Sequence, residues 1–194
     1  MYKYALKYEI VEKDYSAFLY IPKPENDESG EPFTEEDLSV LWKHQQHPVV
    51  EMLLIMCYSG LRIKSYTDIE VDLKSGCFKS GVKTETSKGC TVPIHSAIHP
   101  LVSRRYNGSK NLLLSSTSYF RTRMYNTLED MGIEKHTPHG CRHTFSMLCE
   151  KYKVNENDRK RMLGHSFGND ITNAIYGHRS LDDLRKEIEK IKAP

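Results

Sequence analysis

Two guanidiniums, two imidazoles and a phenol recur along the chain in the order Arg62, His139, Arg142, His165 and Tyr176. Together these groups can transfer a phosphoryl group without a metal. Arginine stays charged at every physiological pH, and its planar fork matches the oxygens of a phosphate. Such groups neutralise the charge that grows on the equatorial oxygens during transfer. Imidazoles accept and donate protons near neutral pH. A free phenol titrates near pH 10, so it is a weak nucleophile at pH 7 unless its anion is stabilised. Where it is stabilised, it can attack and hold the phosphoryl group as an ester.

Each residue sits in a segment that also has an ordinary structural explanation. In Tyr58-Ser-Gly-Leu-Arg62, an arginine two residues beyond a helix-ending glycine projects from a rigid corner; alone it reads as a surface arginine. In Thr137-Pro-His-Gly-Cys-Arg-His143, Thr137 is a natural N-cap and Pro138 a natural first helical residue. His139 and Arg142, three apart, then share one face beside the free N–H groups of a helix N-terminus, where anions bind. His139 and His143, four apart, also suit a metal. However, no glutamate follows the first histidine and no third ligand lies nearby in sequence. In Leu163-Gly-His165-Ser, a glycine cap can aim an imidazole into a cleft, or simply precede an incidental histidine. In Ile175-Tyr-Gly-His178, the tyrosine is by itself unremarkable.

The elements that must hold these segments read as follows. Tyr4 to Ile21 has helical apolar spacing, beginning inside the pattern with no cap, as if within an upstream domain. Residues 22–32, PKPENDESGEP, have linker chemistry and mark a domain boundary. Thr34 caps a helix with three acidic residues in its first turn. Pro48 opens the next helix and Gly60 ends it; its apolar residues run all round, which predicts a buried central helix. Gly76–Val82 and Gly89–Ile94 read as a hairpin around the polar segment Thr84–Lys88. Further helices are expected over Ser96–Arg105, Ser118–Met131, Pro138–Lys151, Asn155–Leu163, Asp170–Tyr176 and Ser180–Ile191. The fold class is therefore α+β, mostly α-helical with a small antiparallel sheet.

Composition narrows the partners. The chain has 194 residues, 38% hydrophobic and 28% charged, a balance that excludes collagen-like and wholly disordered chains. The longest apolar run, Met52–Tyr58, is far short of the ~18 residues needed to span a bilayer. Net charge is only +2, but residues 25–40 hold seven acidic and no basic residues, whereas residues 101–165 hold twelve Lys/Arg against six Asp/Glu. That asymmetry hints at a polyanion, although solvated helix faces produce it too. The five cysteines show no CxxC pairing and read as reduced thiols, hence a cytoplasmic location.

In this order and spacing, YSGLR (58–62), HTPHGCRHTF (136–145), MLGHS (162–166) and IYGH (175–178) resemble the catalytic domain of the tyrosine recombinase (phage integrase) family, from about Phe33 to Ile191. The similarity is greatest to integrases of phages and conjugative elements of Gram-positive bacteria. The resemblance implies that Arg62 and Arg142 clamp a scissile DNA phosphate. His139 and His165 hydrogen-bond it and assist proton transfer, and Tyr176 is the nucleophile. The family's hairpin lysine, general acid for the leaving 5′-oxygen, maps to Lys83, with Lys88 as its rival. The family often carries an acidic residue three positions after the first arginine; here that position is Ser65, with Asp68 or Glu70 as possible stand-ins.

The resemblance further implies that residues 1–32 end a core-binding domain and linker, and that 33–194 form the catalytic domain. No cofactor or metal is implied. The expected partner is double-stranded DNA at specific attachment sites, bound by a homotetramer of the full-length protein, with the isolated domain a monomer that binds DNA weakly and with strong salt dependence. Arg104, Arg105, Arg121, Arg123, Lys160 and Arg161 are candidate DNA-backbone contacts. The terminal stripe Leu181, Leu184, Ile188 and Ile191 could pack in cis or on a neighbouring protomer. A type IB topoisomerase, a telomere resolvase, a non-catalytic DNA-binding relative and a metal hydrolase are the competing functions.

Overall fold

The computed structural model describes residues 2–13, 30–80, 90–165 and 179–194. Among them are eight α-helices: α1 (Tyr2–Lys7), α2 (Glu35–Lys43), α3 (Pro48–Cys57), α4 (His99–Arg105), α5 (Thr117–Asp130), α6 (Pro138–Lys151), α7 (Glu156–Leu163) and α8 (Leu181–Ile188). Strands β1 (Ile69–Asp72), β2 (Cys77–Ser80) and β3 (Cys90–Pro93) form one antiparallel sheet in that order. Val71 lies opposite Phe78, and Phe78 opposite Val92. This is the expected α+β class.

The core is built on α3. Val49 to Cys57 are all buried, with Met52 through Cys57 fully so. A helix that is apolar on every side can only be satisfied by neighbours all round it, and here α2, α4, α5 and α6 surround it. Each such Leu, Ile or Met contributes roughly 1.5–3 kcal/mol by leaving water. Local chemistry sets the ends. The side chain of Thr34 accepts from the Asp37 amide, and Asp37 accepts from the Thr34 amide, a reciprocal cap. Ser180 and Asp183 repeat it at α8.

Three readings are refined. The first helix is shorter than its apolar spacing suggests: it ends at Lys7, and the chain turns through Glu9 at φ 53°. Strand β1 was not anticipated, because four residues between polar turns carry too little alternation to stand out. The terminal stripe packs in cis: Leu184, Ile188 and Ile191 are buried, with α8 lying against β3 and α7. His95 secures it. Its Nδ1 accepts from the Ala97 amide at 3.0 Å, so Nε2 carries the proton and donates to the Ile191 carbonyl at 2.8 Å. The expected helix at 170–176 and the turn of the hairpin lie outside the described residues.

Candidate functional site

The first segment leaves α3 through a corner that only glycine permits. Gly60 has φ +66°, and a Cβ there would sit 2.3 Å from the Phe145 ring of α6. That close approach presses the corner onto α6. Arg62 follows as the exposed N-cap of a short 3-10 turn, Ile63–Thr67.

The second segment opens α6 as its sequence predicts. The Thr137 hydroxyl accepts from the Gly140 amide at 3.3 Å and Pro138 occupies the first turn. Arg142 is 5% exposed. Its guanidinium donates through Nη1 to the Gly60 carbonyl at 2.8 Å and through Nη2 to the Leu163 carbonyl at 2.7 Å. One buried cation thereby joins all three motifs, since Leu163 ends α7. His139 is half-buried, and its ring meets His143 edge-on at 4.6 Å.

The third segment caps α7 with Gly164 in the left-handed region, φ 64°, and delivers His165 directly after it. His165 titrates below the ordinary imidazole range. Burial is the largest cause, followed by the positive charges of Arg142 and Arg62, then Arg159 and Lys160. The imidazole thus senses both arginines.

Arg62, His139 and Arg142 open onto one hollow of about 390 Å³, completed by Ile63, Lys64, Arg121, Tyr125, Thr137 and Pro138. Such a surface, cationic and concave, focuses a positive potential on an anion. Lys64 and Tyr125 were not singled out by sequence. Arg121 and Tyr125 are spaced i, i+4 on α5, a signal that could have paired them. The Lys135 ammonium lies 4.7 Å from the Tyr125 ring centre, adding charge to that wall.

Other expected residues separate. Arg105 is not a DNA-backbone contact: it is 9% exposed and donates to the carbonyls of Leu112, Leu113 and Pro48 and to Glu51. Arg104 bonds the other Glu51 oxygen and the Gln45 carbonyl. Lys160 pairs with Glu156 and Arg161 with Asp158 on α7, while Arg123 lies over the Tyr119 ring. Ser65 is buried, Asp68 is exposed, and Glu70 is taken up by Lys79 on the sheet at 3.5 Å. Lys83, Lys88 and Tyr176 lie outside the described residues.

The fold has solved counterparts. The fold matches the XerA recombinase (TM-score 0.56, 18% identity, covering 93% of this chain and 69% of that one). It also matches the integrase from mycobacterium phage Brujita (0.66, 16%, 98% and 68%). A third match is the Tn1549 transposon integrase, solved with circular intermediate DNA (0.59, 18%, 97% and 74%). No family model and no curated relative matches the chain. The chain therefore has the tyrosine recombinase catalytic-domain fold.

Proposed function

We propose that this protein is a site-specific DNA recombinase that cuts and rejoins DNA strands through a 3′-phosphotyrosyl intermediate. The observation that carries the reading is the convergence of Arg62, His139 and Arg142 on one hollow, with His165 in the field of both arginines. The segments of Arg62 and of His139 and Arg142, about 75 residues apart in the chain, meet at a cationic concavity, Arg142 bonds the Leu163 carbonyl two residues before His165, and the fold is one that recombinases use.

In this reading the two guanidiniums hold the non-bridging oxygens of a DNA phosphodiester. His139 and His165 add hydrogen bonds and help move the proton from the attacking phenol. The Tyr176 oxygen bonds to phosphorus as the bond to the 5′-oxygen breaks, and Lys83 protonates that leaving oxygen. A 5′-hydroxyl from another duplex reverses the step, so the ester conserves the energy of the broken bond. The depressed titration of His165 suits a hydrogen-bond acceptor at neutral pH, before an anion is bound. Residues 33–194 are the catalytic domain, residues 1–32 belong to an upstream domain and linker, and the intact protein acts as a tetramer on paired sites in a bacterial cytoplasm.

The test is a duplex carrying the attachment sequence with a nick close to the cleavage point, so that the short 5′-hydroxyl fragment diffuses away after cutting. A protein–DNA adduct stable in denaturant is expected with the natural chain and absent with Tyr176→Phe, which still shifts the DNA in a gel. DNA binding without any adduct defines a non-catalytic relative. Relaxation of supercoiled circles without strand exchange between paired linear sites defines a topoisomerase.

A further inference from the structure

A short stretch just before α2 lies across the start of α6 at its closest points of approach. A Cβ on Gly140 would stand 2.6 Å from the Glu31 carbonyl oxygen, and one on Gly30 would stand 2.2 Å from the Thr137 hydroxyl. Both values are below any tolerated carbon contact: at Gly140 the strap's backbone lies against the helix, and at Gly30 the strap lies against the Thr137 side chain, and neither place has room for a Cβ. The contact is bonded on either side. The Glu31 carbonyl can only accept, so His136 donates to it from Nδ1 at 3.0 Å. The Phe33 amide donates to the Thr144 hydroxyl at 2.8 Å, which donates in turn to the Gly140 carbonyl at 2.8 Å. The Phe33 ring, fully buried, stacks on His136 at 4.0 Å and 24°.

The attachment therefore touches α6 just before its first turn (136), in it (140) and one turn later (144). His139 and Arg142 leave the same two turns toward the hollow. Successive helical residues point about 100° apart, so the rotation that brings 140 and 144 under the strap also sets where 139 and 142 point. We propose that residues 30–33 are positioning residues for the reaction: they fix the rotation of α6 and so the aim of His139 and Arg142. The inference rests on the recombinase reading for its consequence, although the strap itself does not.

The test is Gly140→Ala in the full chain, since the added methyl must displace the strap while favouring the helix. With saturating DNA and well below the melting temperature, the adduct should form about 10- to 100-fold more slowly, because a displacement near 1 Å can cost about 100-fold, while DNA affinity stays within about twofold. Hydrogen exchange at the Phe33 amide should accelerate. His136→Phe, which keeps a ring on Phe33 but removes the donor, should do the same to a smaller degree, and it serves if Gly140→Ala fails to fold. Faster exchange at Phe33 with an unchanged adduct rate overturns the proposal, as does a loss confined to DNA affinity. If the natural chain forms no adduct at all, the recombinase reading fails instead. The positioning claim is then decided by the His139 ring and Arg142 side-chain NMR signals, which must move in Gly140→Ala for it to stand.

Discussion

Two arginines, Arg105 and Arg142, are buried to a similar depth and both donate to main-chain carbonyls, yet they do opposite things. Arg105 closes a joint. Its fork ties the residues after α4 to the start of α3 and faces Glu51, itself 6% exposed, at 3.2 Å. Burial alone pushes its pKa down and Glu51 pulls it back up. Arg142 also ties segments together, through Gly60 and Leu163, but it borders an open hollow that Arg62 and His139 share. Burying a cation costs several kcal/mol unless it is compensated. At Arg105 a carboxylate supplies much of that compensation permanently. At Arg142 the Gly60 and Leu163 carbonyls are among the groups that hold the fork, and the side chain also borders the hollow. Buried arginine is thus not a signature of function; what it faces is.

The contrast can be broken at either end. Arg105→Met should be the most damaging change to stability, by about 3–5 kcal/mol, since it removes the donor of the Leu112, Leu113 and Pro48 carbonyls and leaves Glu51 with Arg104 as its remaining cation; thermal melting should fall on the order of 10 °C. If melting is unmoved, the joint is not structural. Arg142→Lys should melt much closer to the natural chain but cut a nicked substrate at least about 100-fold more slowly, because an ammonium cannot present a planar fork. Equal losses of stability in the two variants would erase the distinction.

A gentler probe is His165. Burial and the two site arginines disfavour its charged form, so its folded pKa lies below the ordinary value near 6.5. Stability from this group is therefore present above that ordinary value and is lost as pH falls through the lower folded one. Arg62→Gln should raise the pKa by removing one repelling charge, and a bound DNA phosphodiester should raise it further. Titration of the His165 ring proton by NMR reads both shifts, and a pKa indifferent to Arg62 would separate the two residues. The smallest effect is expected at Lys79→Ala, which opens exposed pairs to Glu70 and Asp72. It should cost less than about 1 kcal/mol in urea unfolding, and less again at high salt.

Much of this architecture is legible in the residues themselves. Thr34 and Thr137 cap their helices as expected because a cap is a local bond between a side chain and an amide three residues away. The burial of α3 follows from its unbroken apolar run. Arg62, His139, Arg142 and His165 were identifiable as a set only through the order of four motifs. What sequence could not sort was the basic residues of the second half. Arg104, Arg105 and Arg121 are equivalent on paper, and only their neighbours make the first two ion-paired or carbonyl-bound and the third part of the hollow. Lys64, Tyr125 and the strap at 30–33 were missed for the same reason. The partners of the strap lie more than 100 residues away in the chain, and Lys64 meets Arg121 and Tyr125 across the hollow from a distant segment.

The amino-acid sequence alone thus determined most of the described helices, the caps at Thr34 and Thr137, the central buried element and the chemical types of the candidate groups, since each depends on residues within a turn or two of one another. Only the tertiary structure decided which cations line the hollow and which are taken up in holding the fold together. The desolvation, repulsion and pairing that distinguish them are set by charges and carbonyls brought together from distant parts of the chain.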